Sequence, residues 1–503
     1  MTAQTPTSSD ALRSRILSGI AWKASSQITL QATRLVVALV LARLLAPDDW
    51  GLAAMVLVFS GFVIVFTDNA LGTALIQRRE LHPGDRSTVF WMNATIGLLL
   101  AVAGVALSGP LAGFYGEPSV RPLFVAVSIG FLISALGTTQ MALLVRDMRF
   151  RRLELRQIAA TLVGAIVGVT VAVQGFGAWA IVGQQLAEAI TSTVLLWCVT
   201  PWRPSATFSI GTLRRLGGFA GNVFGQNLVY QAGRNVSGLV IGRSLGAASL
   251  GAYALATTVI LIPFTRIAGP LQQVFFPAFS RISEDRARMA DMWLRATRLV
   301  GAISIPSLVG LCIVAPDFVQ VVLGPRWSDA TPVIQILAWV GLIQSLQTLS
   351  GEVLLALDRS GTLLRYTLIW FVGTVGAVAL GLRWGIVGVA ACYLALTLTI
   401  EPLLTYLTTR ALGISFWRFP ASFFGIVQAT VVMAAIVLPV QAALTASAVP
   451  AGARLVLVGL LGAVVYAGAF LWRAPEVLDE VRGVLGRRKA RPAVRVGPLE
   501  EPL

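Results

Sequence analysis

The chain of 503 residues is long enough for three or four soluble domains of ~150 residues each, but its composition excludes that organisation. Hydrophobic residues make up 56% of the chain and charged residues only 12%, where a soluble domain carries ~25% charged residues. We therefore expect an integral membrane protein. The formal net charge of +16 then indicates loops that face anionic lipid, and not a nucleic-acid partner.

Fourteen apolar segments, separated by polar or Pro/Gly-rich breaks, are candidates for helices that cross the membrane. They are too long for barrel strands, and a helix satisfies its own backbone polar groups in lipid, so the sequence predicts an all-α integral membrane protein of about 14 transmembrane helices. In chain order the predicted spans are 17–45, 51–76, 88–114, 120–145, 156–174, 178–200, 213–242, 249–276, 293–322, 332–357, 362–381, 384–410, 420–443 and 453–472.

Basic residues are distributed unevenly between the two sides of this predicted bundle. With both termini in the cytoplasm, thirty of the 39 Lys and Arg residues fall on the inner side, six on the outer side and three within spans. The inner loops after the fourth and eighth spans hold five arginines each. This bias is the pattern of cytoplasmic loops, and it predicts a multi-pass protein with cytoplasmic N- and C-termini. Trp50 and Trp327 lie near predicted span ends, where we expect them at the membrane interface.

An internal repeat relates the first and seventh spans. Residues 31–55 align with residues 231–255 without a gap, and ten of the 25 positions are identical. An even number of spans separates the two segments, so the halves point the same way through the membrane, as in parallel repeats of transporters. The repeat predicts two parallel-related six-helix lobes around a central cavity, plus two C-terminal helices.

We accordingly divide the chain into four regions. The N-lobe covers residues 1–200 with spans one to six, and the C-lobe covers residues 201–412 with spans seven to twelve. Residues 413–472 hold the two additional spans, and residues 473–503 form a basic cytoplasmic tail. Two lobes with a cleft between them predict alternating access by rocking of one lobe against the other.

Polar side chains recur on one face of the two repeated spans. The first span carries Lys23, Gln27, Gln31 and Arg34, and the seventh carries Asn227, Gln231 and Arg234 with Asn235 beside them. A charge near the bilayer centre costs ~2.5–3.5 kcal/mol, so both faces are expected to line a shared polar cavity. Since a guanidinium bonds two phosphate oxygens at once, we expect the two arginines to bind an anionic headgroup. The alternative is that each arginine neutralises an intramembrane acid and locks the bundle.

Four acids also lie within predicted spans, namely Asp68, Glu188, Glu352 and Glu401. Asp68 is a possible partner of Lys23 or Arg34. Asp68, Glu188 and Glu401 are candidates for proton coupling, although structural pairing explains them equally well. Arg266 stands between Pro263 and Pro270 in the eighth span, and a kinked, charged span is a candidate gate. Gly164 and Gly168 have the spacing that allows close helix packing.

Motifs for enzymatic chemistry are missing from the sequence. No segment matches GxxxxGK[ST], which argues against a built-in ATPase. The predicted outer loops are too short for the catalytic loop of a polysaccharide polymerase or ligase, so we expect no enzyme and no catalytic residues. One histidine and three separated cysteines predict no metal site and no cofactor.

Three segments resemble the polysaccharide transporters of the multidrug/oligosaccharidyl-lipid/polysaccharide (MOP) flippase superfamily. They are ARLLAPDDWGLAAM at 42–55, ALLVRDMRFRRLELRQIAA at 142–160 and IPFTRIAGPLQQVFFPAFSRISED at 262–285. The resemblance implies a flippase that moves undecaprenyl-diphosphate-linked oligosaccharide across the bacterial inner membrane for lipopolysaccharide or exopolysaccharide biosynthesis. It implies cavity arginines for the diphosphate, a role we assign by position to Arg34 and Arg234. A polysaccharide polymerase and a chain-length regulator are conceivable protein partners, beside anionic membrane lipids.

Two other functions are compatible with such a bundle. A drug or metabolite antiporter of the same superfamily is expected to have an acidic cavity, and the matched arginines argue against it. A non-transporting scaffold of a polysaccharide assembly complex predicts that Arg34→Ala and Arg234→Ala are silent, whereas a flippase predicts that both abolish export.

Overall fold

The computed structural model describes residues 29–68, 83–209, 235–260 and 277–473, together with residues 27, 75, 211, 231, 233 and 275. For residues 62–68 and 83 it describes the backbone alone. All regular secondary structure in these ranges is helical, so the predicted all-α class is confirmed.

The described helices are numbered here in chain order. They are α1 (29–44), α2 (Pro47–Asp68), α3 (Pro83–Tyr115), α4 (Val120–Arg146), α5 (Phe150–Val173), α6 (Trp179–Val199), α7 (Asn235–Ile260), α8 (Arg286–Phe318), α9 (Ala330–Gln347), α10 (Ser350–Ala356), α11 (Ser360–Gly381), α12 (Gly385–Leu412), α13 (Phe424–Ala446) and α14 (Ala451–Arg473). Short helical turns lie at Val319–Leu323, Pro325–Trp327, Leu382–Trp384 and Arg418–Ala421.

Nine helical segments of the described chain are long and apolar enough to cross a membrane. The segment Ser360–Leu412 contains both α11 and α12, which are separated by a break at Gly385 with a φ of 68°. Another segment, α7, contains a second break at Gly246 with a φ of 82°. The break at Gly246 lies in the predicted loop between spans seven and eight, and the break at Gly385 lies at the predicted start of span twelve. The protein is therefore a multi-pass membrane protein.

Two clusters of arginines lie on helices and not in the loops that the sequence predicts. Helix α5 begins at Phe150, so Arg156 lies in its second turn. Helix α8 begins at Arg286, because the Asp285 side chain accepts a hydrogen bond from the backbone N–H of Arg288 at 3.0 Å and caps the helix. The basic residues thus extend the helices beyond the predicted ends of the spans.

The two halves of the repeat meet through a reciprocal contact between α2 and α7. A Cβ on Gly51 would overlap the carbonyl oxygen of Ala247, and a Cβ on Gly251 would overlap the carbonyl oxygen of Pro47. Gly51 and Gly251 are repeat equivalents, and so are Pro47 and Ala247. When two halves of a structure are related by a twofold axis, each contact between them occurs twice, with the roles of the two halves exchanged. The parallel repeat inferred from the sequence is therefore visible as a contact between its halves.

Helices α5 and α6 pack closely along the predicted small-residue face. A Cβ on Gly164 would lie 2.8 Å from the carbonyl oxygen of Gln184, and one on Gly168 would lie 2.9 Å from the Gln184 Cβ. Close packing through small residues is the expected mode of helix association in lipid. The interpretation of this GxxxG spacing as a packing motif is confirmed.

We expect Gly168→Val to destabilise the protein by about 1–3 kcal/mol, because the added side chain forces α5 away from α6. A thermal unfolding scan of the purified protein measures the effect. Gly113→Val on α3 is the matched control, since a Cβ there meets nothing within 4 Å. Equal unfolding temperatures for the two variants would contradict the packing role.

Candidate functional site

The mid-membrane arginine of the first span forms an ion pair across the N-terminal half of the bundle. Arg34 Nη2 lies 2.9 Å from Glu188 Oε1 on α6. Arg34 is ten residues before the end of α1, which is ~15 Å along the helix and half of a hydrocarbon core of ~30 Å. The Arg34 side chain is 48% exposed and that of Glu188 is 19% exposed. Arg34 thus pairs with Glu188, and about half of the Arg34 side chain remains accessible.

Glu188 is the centre of a polar network that joins three helices. Its Oε1 also accepts hydrogen bonds from Gln157 Nε2 at 2.8 Å and from Thr161 Oγ1 at 3.0 Å. Arg156 Nη2 donates to Gln157 Oε1 at 3.0 Å, and Arg156 Nη1 donates to Ser192 Oγ. Several donors on one oxygen fix the position of the Glu188 carboxylate. This network gives Arg34 a rigid anchor at mid-membrane depth.

Sequence reasoning missed the α5 contribution to this network. Gln157 and Thr161 are four residues apart and therefore share a helix face. Two hydrogen-bonding side chains on one face of an apolar span indicate a polar contact with a neighbouring helix, and this pattern could have predicted the contribution of α5. Arg156, at the predicted boundary between the loop and the fifth span, belongs to the same network.

The remaining polar residues of the first span flank Arg34. Gln27 and Arg34 are exposed and Gln31 is partly exposed, and their spacing of four and three residues puts them on one face of the first span, whereas Lys23 lies outside the described residues. The predicted polar face of this span is therefore accessible along its described length.

The seventh span uses its polar residues for contact with the other half of the chain. Gln231 Nε2 donates to the Gly61 carbonyl oxygen on α2 at 2.9 Å, and Asn235 Nδ2 donates to the Gln231 carbonyl oxygen at 2.8 Å. Gly61 is small enough for this approach, because a Cβ there would lie 2.6 Å from Gln231 Nε2. Arg234, Asn227 and Arg266 lie outside the described residues, as does the side chain of Asp68.

Glu401 occupies a second polar cluster, in α12 of the C-terminal half. The residue is 5% exposed, and its Oε2 accepts a hydrogen bond from the Tyr366 hydroxyl at 3.0 Å. Gln347 Nε2 lies 3.3 Å from the Glu401 carbonyl oxygen and also donates to Thr405 Oγ1. Glu188 and Glu401 are thus in separate networks, one in each half of the chain.

One end of the bundle is closed by contacts between the two halves. Trp327 Nε1 donates to the Ala42 carbonyl oxygen at 2.6 Å, and Arg43 Nη1 donates to the Val321 carbonyl oxygen at 2.8 Å. The rings of Trp50 and Trp327 pack edge to face with centroids 6.0 Å apart. Trp327 is only 1% exposed, so its ring packs against other helices and does not face lipid headgroups. We call these contacts, with the Gly51 and Gly251 contact, the closed end.

An apolar groove lies between α8 and the two additional spans, α13 and α14. Its volume is about 440 Å³. Ile303, Pro306, Met433, Val437 and Val458 are among its lining residues, and they leave it largely without charge. The neighbouring α14 residues Leu460 and Val464 are exposed, as expected for a surface that faces lipid.

An ion pair connects the additional spans to the C-terminal half. The Arg454 guanidinium, at the start of α14, contacts Asp317 Oδ1 through Nη2 and through Nε at 3.2 Å. The Asp317 side chain is 4% exposed and that of Arg454 is 14% exposed. Gln441 Nε2 on α13 lies 3.5 Å from Asp317 Oδ2. Both additional spans therefore meet one buried carboxylate of α8.

Curated proteins of known pathways are similar to most of this chain. Lipopolysaccharide biosynthesis protein WzxC of Escherichia coli is 27% identical over 79% of this chain and 81% of its own length. Teichuronic acid biosynthesis protein TuaB of Bacillus subtilis is 27% identical over 74% and 80%, respectively. Succinoglycan biosynthesis transport protein ExoT of Rhizobium meliloti is 27% identical over 72% and 73%.

Solved structures identify the fold. The lipid II flippase MurJ in an inward closed conformation superposes with a TM-score of 0.76 at 14% identity, over 91% of this chain and 100% of that chain. An inward-facing multidrug resistance MATE transporter of the MOP superfamily superposes with a TM-score of 0.62 at 12% identity, over 78% and 98%. The fold is therefore that of the MOP superfamily. The sequence family described as "Polysaccharide biosynthesis protein" matches residues 40–332, and this chain belongs to that family.

Proposed function

We propose that this protein is a flippase that moves an undecaprenyl-diphosphate-linked oligosaccharide across the bacterial inner membrane by alternating access, for lipopolysaccharide or exopolysaccharide biosynthesis. The observation that carries the proposal is Arg34, a mid-membrane guanidinium that is anchored by Glu188 on one side and open on the other. Membership of a polysaccharide biosynthesis family and the names of the similar proteins support it. The fold shared with a lipid II flippase is consistent with it.

Arg34 is suited to hold a phosphate while a headgroup crosses the membrane. A guanidinium has five N–H donors, and the described contact with Glu188 uses one of them. The free donors of the planar fork match two phosphate oxygens, and a low-dielectric site strengthens that interaction. The network around Glu188 keeps the guanidinium in place when the diphosphate leaves. The repeat supplies Arg234 as the second phosphate-binding residue of this proposal, flanked by Gln27, Gln31, Asn227, Gln231 and Asn235.

The apolar groove fits the other part of such a substrate. A polyprenyl chain is too apolar to leave the lipid environment while the sugars cross. The groove between α8, α13 and α14 has an uncharged lining and about 440 Å³ of space, so it can hold several isoprene units. We assign the groove to the lipid chain and the polar faces of spans one and seven to the headgroup.

The closed end is one gate of the proposed transport cycle. The lobes, residues 1–200 and 201–412, meet there through backbone contacts at Gly51 and Gly251 and through Trp327. The charge bias assigns this end to the outer side of the membrane and both termini to the cytoplasm. In this proposal, the state in which this end is closed presents the cavity to the inner leaflet, where the substrate is made. Release to the outer leaflet requires the closed end to open.

Four residues remain candidates for coupling or gating. Glu188 is a candidate because protonation of its carboxylate weakens the ion pair with Arg34. Glu401 is a candidate because it is a buried acid with one neutral side-chain donor. Asp68 and Arg266 stay in the proposal on the basis of their positions in spans two and eight. A polysaccharide polymerase and a chain-length regulator are proposed as partners in the same pathway.

We expect Arg34→Gln and Arg234→Gln each to abolish export while the protein still inserts in the membrane. Glutamine keeps a polar side chain but removes the charge that holds the diphosphate. Mass spectrometry of polyprenyl-linked lipids measures the consequence, and one undecaprenyl-diphosphate oligosaccharide is expected to accumulate on the cytoplasmic side. Arg383→Gln is the matched control, because this exposed arginine lies between α11 and α12, in a segment that the charge bias assigns to the outer side of the membrane and away from the proposed binding site.

Other outcomes of this experiment identify the alternative functions. Normal export in both variants, together with a loss of polysaccharide on deletion of the gene, favours the scaffold. An unchanged polyprenyl-linked lipid pool in the deletion strain, with changed sensitivity to cationic drugs, favours the antiporter. Either result contradicts the flippase proposal.

A further inference from the structure

A second pocket lies between α11 and α12, at the end of the bundle that the charge bias assigns to the cytoplasm. Its volume is about 480 Å³. Three arginines border it, Arg359 and Arg365 from the start of α11 and Arg410 from the end of α12. The two helices run antiparallel, so basic residues 45 to 51 positions apart in the chain converge on one pocket. None of these three residues belongs to the site proposed above for the diphosphate.

The three guanidinium groups carry positive charge that no acid of the described chain neutralises. Each arginine is exposed, and none of the three side chains forms an ion pair or hydrogen bond with a described residue. No carboxylate is among the described residues that line the pocket, and the hydroxyl of the lining residue Tyr366 donates to Glu401, which is only 5% exposed. The pocket therefore offers up to fifteen N–H donors to an anion and no competing acceptor charge at its mouth.

The walls of the pocket below the arginines are apolar. Ile369 on α11 and Leu403 and Leu407 on α12 line it, and Ile369 is 50% exposed. From Arg359 to Ile369 the pocket follows α11 for ten residues, or ~15 Å. A ligand that fills this space has an anionic head at the membrane surface and an apolar part that extends into the bilayer.

We infer that this pocket binds the phosphate headgroup of an inner-leaflet lipid. Basic pockets between transmembrane helices on the cytoplasmic side are typical sites for anionic headgroups. A soluble phosphate compound would leave the apolar walls uncovered, whereas a lipid contacts both parts of the pocket. Two lipids share this chemistry, a bulk anionic phospholipid and the lipid-linked diphosphate itself before it reaches the cavity. The inference does not depend on transport, because it concerns equilibrium binding at a site on the flank of α11 and α12.

Native mass spectrometry of the full-length protein in detergent tests this site. The probes are phosphatidylglycerol and undecaprenyl diphosphate, with zwitterionic phosphatidylcholine as the reference lipid. Arg365→Gln combined with Arg410→Gln removes two of the three charges. At about fivefold for each basic residue, we expect the affinity for the bound anionic lipid to fall roughly 30-fold. Arg326→Gln combined with Arg383→Gln makes the same change in net charge at the opposite end, and its affinity is expected to stay within about twofold of the original protein.

The two probes distinguish the source of the lipid. A fall for phosphatidylglycerol alone identifies a phospholipid site, a fall for undecaprenyl diphosphate alone identifies a substrate site, and a fall for both identifies a general phosphate-lipid site. Equal affinities of the two double variants for both probes would overturn the inference. Arg365→Lys combined with Arg410→Lys retains the charge and controls for misfolding, because this variant should keep most of the affinity. Failure of the proposed transport function would leave all of these binding results unchanged.

Discussion

Gly251→Val is expected to abolish transport while the protein remains inserted and folded. A Cβ at this position would overlap the Pro47 carbonyl oxygen, which belongs to the backbone of α2 and cannot rotate away. Overpacking of this kind costs about 1–3 kcal/mol, and here the cost applies to the closed state alone. The population of that state should then fall roughly 5- to 150-fold. Because the contact is reciprocal, Gly51→Val is expected to have the same effect through Ala247.

A cysteine at position 42 measures the opening of the closed end directly. Ala42 is fully buried, and its carbonyl oxygen accepts the hydrogen bond from Trp327. With the three native cysteines replaced by serine, Ala42→Cys should resist a membrane-impermeant maleimide applied from outside and should react once Gly251→Val is added. Gly376→Val is the matched control, since a Cβ on Gly376 meets nothing within 4 Å. Equal labelling with and without Gly251→Val would contradict the role of this glycine in closing the bundle.

Arg454→Gln is expected to lower the stability of the protein by about 3–5 kcal/mol, because it leaves the buried Asp317 carboxylate without its counter-charge. The remaining donor at 3.5 Å, Gln441, is neutral and too distant to compensate. Since α13 and α14 both meet α8 at this carboxylate, the loss should separate the additional spans from the C-terminal half. Thermal unfolding of the purified protein measures the effect.

The double variant Asp317→Asn with Arg454→Gln tests whether the expected loss of stability comes from the unpaired buried charge or from the lost contact itself. Removing both partners avoids an unpaired carboxylate, so we expect it to recover much of the stability that Arg454→Gln loses. Arg418→Gln is the matched single control, because its pair with Asp291 is exposed on both sides and contributes ~0–1 kcal/mol. A double variant that is less stable than Arg454→Gln would show that charge burial is not the cause.

The sequence alone predicts much of this fold because lipid restricts the choice of structure. Apolar segments of ~20 residues specify helices, and the charge bias specifies their alternation. The repeat at an offset of 200 residues predicts two halves related by a twofold axis, and the reciprocal contact of Gly51 and Gly251 is the kind of contact that such a relation produces. Helix bounds are less predictable where polar residues lengthen a helix, as at Phe150 and Arg286, since hydropathy does not detect caps or helical turns outside the lipid.

The candidate site is only partly predictable from the sequence. The spacing of Gln27, Gln31 and Arg34 correctly indicates one shared face, because helical periodicity is a local property. The pairing of Arg34 with Glu188 joins residues 154 positions apart, and no local pattern distinguishes that acid from the other three. The contacts of Trp327 are unpredictable for the same reason, since an amphipathic ring near a span end can lie in the membrane interface or pack against another helix. Tertiary packing decides between these options.

The central claim is that this protein moves a lipid-linked diphosphate oligosaccharide between leaflets, and reconstituted vesicles test it most directly. Vesicles with the lipid-linked oligosaccharide in both leaflets receive a membrane-impermeant glycosidase, and the cleaved fraction is followed over time. We predict that the original protein makes the inner-leaflet pool accessible, and that Arg34→Gln leaves it protected although the variant is reconstituted in equal amount. Protection of the inner-leaflet pool by the original protein, under an imposed proton, sodium or voltage gradient of either sign, would contradict the proposed function.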